Sequence, residues 1–126
     1  MLYNHILLID DDCDDQEIFL CALEMVSDAV QCTTLSSAKQ ALQQLVEGDM
    51  QVDVIFLDLN MPGMSGQQFL VEFQKEHSVK HIPVFVLSTS SDVATIQHTK
   101  TLGASEFITK PETLYGLVDV LKSVIH

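Results

Sequence analysis

Hydrophobic and polar positions come in blocks along this chain. Ile6–Ile9, entered through His5, is an unbroken apolar run and predicts a strand over His5–Ile9 that is covered on both faces. The period then changes. Ile18, Ala22, Leu23 and Val26 fall on one face of a helix, with Asp14 or Asp15 in a first turn where the helix dipole favours negative charge. Val30–Leu35 predicts a second strand, more polar and therefore nearer an edge. Ser36 or Ser37 caps a helix carrying Ala38, Ala41, Leu42 and Leu45, which stops near Gly48. Val52–Leu57 predicts a third strand, residues 60–66 a turn-rich loop, and Ser65 the cap of a helix presenting Phe69, Leu70 and Phe73. Pro83–Leu87 predicts a fourth strand. From Ser91 to Leu102 the apolar stripe thins to Val93 and Ile96, which predicts a loosely held helix ended by Gly103. Glu106–Thr109 reads as a short fifth strand. Leu114, Leu117, Val118, Leu121 and Ile125 mark a last amphipathic helix, with no linker or output domain expected after it.

Alternation of strand and helix predicts an α/β fold, a doubly wound parallel sheet with right-handed crossovers and helices on both faces. Ligands of such sheets bind beyond the carboxyl ends of the strands. The residues just after each apolar run therefore carry the chemistry: Asp10, Asp11 and Asp12 after the first, Asp58 after the third, Ser88 and Thr89 after the fourth, Lys110 and Pro111 after the fifth. Carboxylates crowded together resist losing water and repel one another, so a cation is expected among them. Hard oxygen ligands suit Mg²⁺, which binds through one or two carboxylates and keeps several waters. Lys110, the Ser88 hydroxyl and the Thr89 backbone N–H are donors suited to an anion. Donors and Mg²⁺ around a carboxylate fit phosphoryl transfer to that carboxylate, where the protein's task is positioning and charge neutralisation. Asp58 is the candidate acceptor because it follows a central strand. The other acids of the Asp10–Asp15 cluster suit the first turn of a helix.

Composition narrows the partners. The 126 residues fit one domain, and 47% apolar residues supply a core for it. A formal net charge of −12 with only 6 Lys+Arg leaves no basic footprint for nucleic acid or an anionic membrane, so cations or a basic protein surface are the expected partners. Cys13, Cys21 and Cys32 are odd in number and widely spaced, which suggests reduced thiols in a cytoplasmic protein. No signal-peptide pattern or bilayer-length apolar stretch stands in the sequence.

The motifs in register resemble the receiver domain of two-component response regulators, the CheY-like family. They are IDD at Ile9–Asp11, LDLNMPGMSG at Leu57–Gly66, Ser88-Thr89 after PVFVL, GA at Gly103-Ala104 and KP at Lys110-Pro111. The resemblance spans residues 1–126. It implies a flavodoxin-like (βα)5 sheet in the order 2-1-3-4-5 and a stand-alone receiver without an output domain. It implies that Asp58 accepts a phosphoryl group from a phosphohistidine on a sensor histidine kinase or a histidine phosphotransfer protein. It further implies that Asp11 ligates Mg²⁺ directly, that Asp10 helps through water, that the Asn60 carbonyl completes the protein's share, and that Ser88 and Lys110 bind phosphate oxygens. Pro62, Gly63 and Gly66 would shape the loop over the site. On phosphorylation Ser88 would move toward the phosphate and Phe107 would turn inward, changing the surface of the fourth helix, fifth strand and fifth helix. The family often has Tyr where Phe107 stands, so only ring packing remains there. Asn60 and Ser90 would flank the path of the hydrolytic water.

Such a chain is a signalling protein with at most slow self-dephosphorylation, acting on a downstream protein the sequence does not name. A haloacid dehalogenase-type phosphohydrolase would carry a second acid where Asn60 stands, together with a cap domain. A phosphorylation-independent interaction module is the alternative, although such members typically lose the acceptor Asp or the Lys. His77 and His81 lack further ligands for zinc and read as solvated. The acids beside Cys13 disfavour a reactive thiolate. Met61 and Met64 read as loop packing, and Phe69, Phe73 and Phe85 as core.

Overall fold

A computed structural model describes residues 3–90 and 92–125. Five strands alternate with five helices among them: β1 (His5–Ile9), α1 (Cys13–Val26), β2 (Gln31–Leu35), α2 (Ala38–Glu47), β3 (Val54–Asp58), α3 (Gly66–Gln74), β4 (Val84–Ser88), α4 (Val93–Thr101), β5 (Glu106–Thr109) and α5 (Leu114–Ile125). The strands form one parallel sheet in the order β2-β1-β3-β4-β5, the flavodoxin-like arrangement.

The unbroken apolar runs have their explanation in the two cores. Leu7, Ile9, Ile55, Leu57, Val84 and Val86 point to one face, where α2 and α3 cover them with Ala41, Leu45, Phe69 and Phe73. Ile6, Leu8, Val54, Phe56 and Leu87 point to the other, covered by Phe19 and Leu23 of α1 and by Leu117, Val118, Leu121 and Ile125 of α5. Strands β1 and β3 are thus apolar at every turn of the pleat because both faces exclude water. Side chains of this size each stabilise the fold by about 1.5–3 kcal/mol when buried.

Several boundaries shift from the sequence expectation. β3 begins at Val54 rather than Val52: the Asp53 backbone N–H still donates to the His5 carbonyl at 2.9 Å, but it is the Asp53 carboxylate that accepts the N–H groups of Asn4 and His5, both at 2.9 Å. β2 starts at Gln31 and β4 at Val84, one residue after the positions expected. Ser37, not Ser36, caps α2, and Gly48 ends it in the left-handed region. Asp92 caps α4, and Ser91, the expected start of that helix, lies outside the described residues.

Two helix faces are corrected. Phe19, not Ile18, leads the buried stripe of α1. Its ring meets Phe56 edge-on at 5.2 Å, while Ile18 is 47% exposed. Both registers satisfy helical spacing, and the larger ring fills the space above β3. Val93 is 65% exposed and contributes nothing to the core, so α4 fully buries only Thr99. Phe85, expected in the core, is half-buried between Phe56 and Tyr3.

Candidate functional site

The carboxyl ends of β1, β3, β4 and β5 open on one rim. Asp10 leaves β1, and its backbone N–H donates to the Leu35 carbonyl at 3.0 Å, which holds it in line with the sheet. Asp12 then caps α1, its carboxylate accepting the N–H groups of Asp14 and Asp15. The sequence offered Asp14 or Asp15 for the first turn; both are there, and Asp12 takes the cap. Asp58 closes β3. The loop after it folds back tightly: a Cβ on residue 66 would lie 2.7 Å from the Asp58 carbonyl oxygen and 2.7 Å from the Leu59 Cα, so only glycine fits there. Gly63 turns this loop at a φ of 75°. Ser65 and Gln68 form a capping box that starts α3, and Met61 packs inward beneath the loop.

Carboxylate oxygens of Asp10, Asp11 and Asp58 lie within 4.8 Å of one another. Asp10 and Asp58 are buried, and Asp11 is exposed. Among the described residues one ammonium serves this group. Lys110 Nζ lies 3.2 Å from Asp10 Oδ2, 2.9 Å from Asp15 Oδ2 and 3.8 Å from Asp58 Oδ1. The Lys110 backbone N–H donates to the Ser88 carbonyl at 2.7 Å, which ties the β5 end to the β4 end.

Burial dominates the electrostatics. It pushes the Asp58 carboxyl up to about 6, with Lys110 pulling the other way and Asp10 and Asp11 adding to the rise. Burial also raises Asp10, against the Asp12 N–H it accepts and the Lys110 charge. For Lys110, burial pulls downward, but its hydrogen bond to Asp15 and the charges of Asp10, Asp58 and Asp15 outweigh that and leave it raised. Three neighbouring carboxylates and one lysine leave an excess of negative charge. The donor set is all oxygen and partly open to solvent through Asp11, which fits a hard divalent cation.

Of the other expected residues, some border this centre and some lie away from it, His81 beside Val52 and Asp53 at the opposite end of the sheet. Asn60 is exposed and donates its N–H to Asp58 Oδ1 at 3.3 Å. Ser88 is buried at the end of β4, where its Oγ accepts the Ser90 N–H at 3.1 Å. Thr89 follows as an exposed residue. Phe107, half-buried on β5 opposite Val86, packs on the α2–α3 face. His77, His81 and Cys13 are exposed. The sequence reading missed Asp15 as a partner of Lys110. It also missed Gln16, whose side-chain amide donates to the Asp10 carbonyl and contacts Ser36. Only the density of acids after β1 hinted at either.

Strand order, crossovers and an acid–lysine rim at the carboxyl ends define an α/β protein of the flavodoxin-like, CheY-type architecture. The chain belongs to the response regulator receiver domain family, whose model matches residues 6–122. It is 32% identical over 119 residues to the two-component response regulator ARR7 of Arabidopsis thaliana, across 87% of this chain and 57% of that protein. It thus spans little more than half the length of that relative. Among solved structures it resembles the phosphorylated cyanobacterial phytochrome response regulator RcpA, with a TM-score of 0.85 and 30% identity over 97% of this chain and 91% of that one. It also resembles the Mn(2+)-bound form of response regulator Rcp1, with a TM-score of 0.83 and 27% identity over 96% and 91%. Receiver domains of this family are signalling modules of phosphorelays, and their partners are histidine kinases or phosphotransfer proteins. No described helix is long and apolar enough to cross a membrane.

Proposed function

We propose that Asp58 is the phosphoacceptor of a phosphorelay receiver, taking its phosphoryl group from a phosphohistidine on a histidine kinase or phosphotransfer protein. The observation that carries this reading is one buried carboxylate set beside two other carboxylates and, among the described residues, a single ammonium at the rim of a receiver fold. The relatives whose solved forms are phosphorylated or hold Mn(2+) support it.

Asp10, Asp11, Asp58 and the backbone carbonyl of Asn60 would hold Mg²⁺. The ion would offset the charge of these carboxylates and of the entering phosphoryl oxygens. A carboxylate oxygen of Asp58 forms the new bond to phosphorus as the bond to the donor breaks, and the donor leaves with that electron pair. Lys110 and the Ser88 hydroxyl donate to the phosphoryl oxygens, with the Thr89 N–H beside them. Ser88 Oγ accepts from Ser90 and keeps its own proton for this purpose. Its movement toward the phosphoryl group, with Phe107 turning inward, would alter the α4–β5–α5 surface and so the choice of downstream protein. Asn60 and Ser90 would border the way in for water, where self-dephosphorylation is at most slow.

Intact mass after incubation with acetyl phosphate tests this reading. One added phosphoryl group is expected with Mg²⁺, none with chelator, and none in Asp58→Asn. Uptake unaffected by chelator and by Asp58→Asn would overturn it, and a chain that takes no phosphoryl group and binds no Mg²⁺ would act as a phosphorylation-independent interaction module.

A further inference from the structure

Lys110 is shared unequally. Its ammonium has three N–H donors and three acidic neighbours. Asp15 is the nearest at 2.9 Å, Asp10 follows at 3.2 Å, and Asp58 at 3.8 Å lies beyond hydrogen-bond reach. Asp10 is almost fully buried and anchored by the Asp12 N–H, so it alone suffices to keep the ammonium at the rim. Asp15 stands on the outer side. Its backbone is fixed in the first turn of α1 by the Asp12 cap, and its side chain reaches across to the end of β5. A groove of about 680 Å³ between α1 and the start of α5 has Asp15 and Lys110 in its wall, with Asp10 beside them.

An acid in a first helical turn is favoured by the dipole whether or not a lysine is near. That bland account gives Asp15 no reason to influence the rim. The geometry gives it one, because a hydrogen bond to Asp15 occupies a donor that the phosphoryl oxygens on Asp58 would otherwise receive.

We propose that Asp15 is a positioning residue that holds the Lys110 ammonium off the acceptor carboxylate and so restrains phosphoryl uptake. This rests on the assignment of Asp58 as acceptor. Asp15→Asn keeps the size of the side chain and removes the charge that competes for Lys110. The Asp15 carboxylate is about two-fifths exposed, so solvent screens the pair and the effect is modest. Asp14 supplies the control. It carries the same charge in the same helical turn, is exposed and forms no ion pair with Lys110 among the described residues.

The experiment has two arms. In the first, the acetyl phosphate concentration giving half-maximal uptake, with Mg²⁺, is measured by intact mass for the native chain, Asp15→Asn, Asp15→Glu and Asp14→Asn. The expected result is about a fivefold fall for Asp15→Asn, equivalent to about 1 kcal/mol. Asp15→Glu, which restores the carboxylate, and Asp14→Asn should stay within about twofold of native. In the second arm, a crystal structure of unphosphorylated Asp15→Asn should place Lys110 Nζ about 2.8 Å from an Asp58 oxygen. A half-maximal concentration in Asp15→Asn equal to or above native, an equal fall in Asp14→Asn, or a Lys110 that stays where it is would overturn the proposal. A native chain that takes no phosphoryl group and binds no Mg²⁺ defeats the acceptor assignment instead, and the position of Lys110 in the variant still decides whether Asp15 holds it.

Discussion

Asp58 and Lys110 face each other across the end of β4, carboxylate oxygen to ammonium, at 3.8 Å. They are close enough to attract and too far apart to hydrogen-bond. Most consequences of the site follow from this incomplete pairing, because neither Asp58 nor Asp10 has a cation to itself.

Burial holds Asp58 at about 6, with Lys110 opposing the rise and Asp10 and Asp11 adding to it. The folded chain therefore binds this proton more tightly than the unfolded chain, whose aspartate titrates near 3.8. The contribution of this group to stability is full below about 4 and is lost as pH rises through about 6. Above that, the native carboxylate carries a penalty of about 3 kcal/mol. Urea denaturation in chelator should find Asp58→Asn more stable than native by about that amount at pH 7, with the difference vanishing toward pH 4. A variant less stable than native at pH 7 would contradict this account.

Divalent cation should relieve the same strain. Mg²⁺ that binds the folded chain raises its Tm in proportion to the logarithm of its concentration once the site is filled. Native protein should show this rise, and chelator should reverse it. Asp11→Asn should reduce it strongly while hardly altering the Tm in chelator, since Asp11 is exposed. A rise of equal size in the variant would place the ion elsewhere.

Gly63 and Gly66 should respond differently to alanine. At residue 63 the added methyl meets open space and suffers only from the positive φ, costing about 1–2 kcal/mol. At residue 66 it meets backbone at 2.7 Å, including the carbonyl of Asp58 itself. Gly66→Ala should lose about 2–3 kcal/mol and displace the acceptor. Paired denaturation and uptake measurements should show phosphoryl uptake retained in Gly63→Ala and lost in Gly66→Ala.

The strands and the rim were legible because both rest on local pattern. An apolar run ending in a polar residue marks where a buried strand meets solvent, and Asp10, Asp58, Ser88 and Lys110 all obey that rule. The Asp15–Lys110 pair was not legible. It joins residues 95 apart and depends on Asp12 taking the cap, which turns Asp15 toward β5. The choice between Ile18 and Phe19 failed for a similar reason. Helical spacing admits both, and only the space above Phe56 decides. The start of β3 depended on the Asp53 side chain accepting two N–H groups at the start of the neighbouring strand β1, 48 and 49 positions away in the chain.

Helix α4 buries only Thr99 completely, while α1, α2, α3 and α5 each bury three or more residues. Few buried contacts imply a low free energy of local opening. In amide hydrogen exchange, α4 should exchange fastest of the five helices, and β1 and β3 should exchange slowest of all. Protection of α4 equal to that of the central strands would contradict the proposal that α4 belongs to a switching surface.

The central claim is that the phosphoryl group resides on Asp58. An acyl phosphate is reduced by borohydride to an alcohol, which converts an aspartyl phosphate to homoserine. The protein should be treated with acetyl phosphate and Mg²⁺, reduced, digested and sequenced by mass spectrometry. Homoserine at position 58, absent when chelator replaces Mg²⁺, is the predicted result. Homoserine at Asp10 or Asp11, or a phosphoryl group stable to reduction on another side chain, would contradict it.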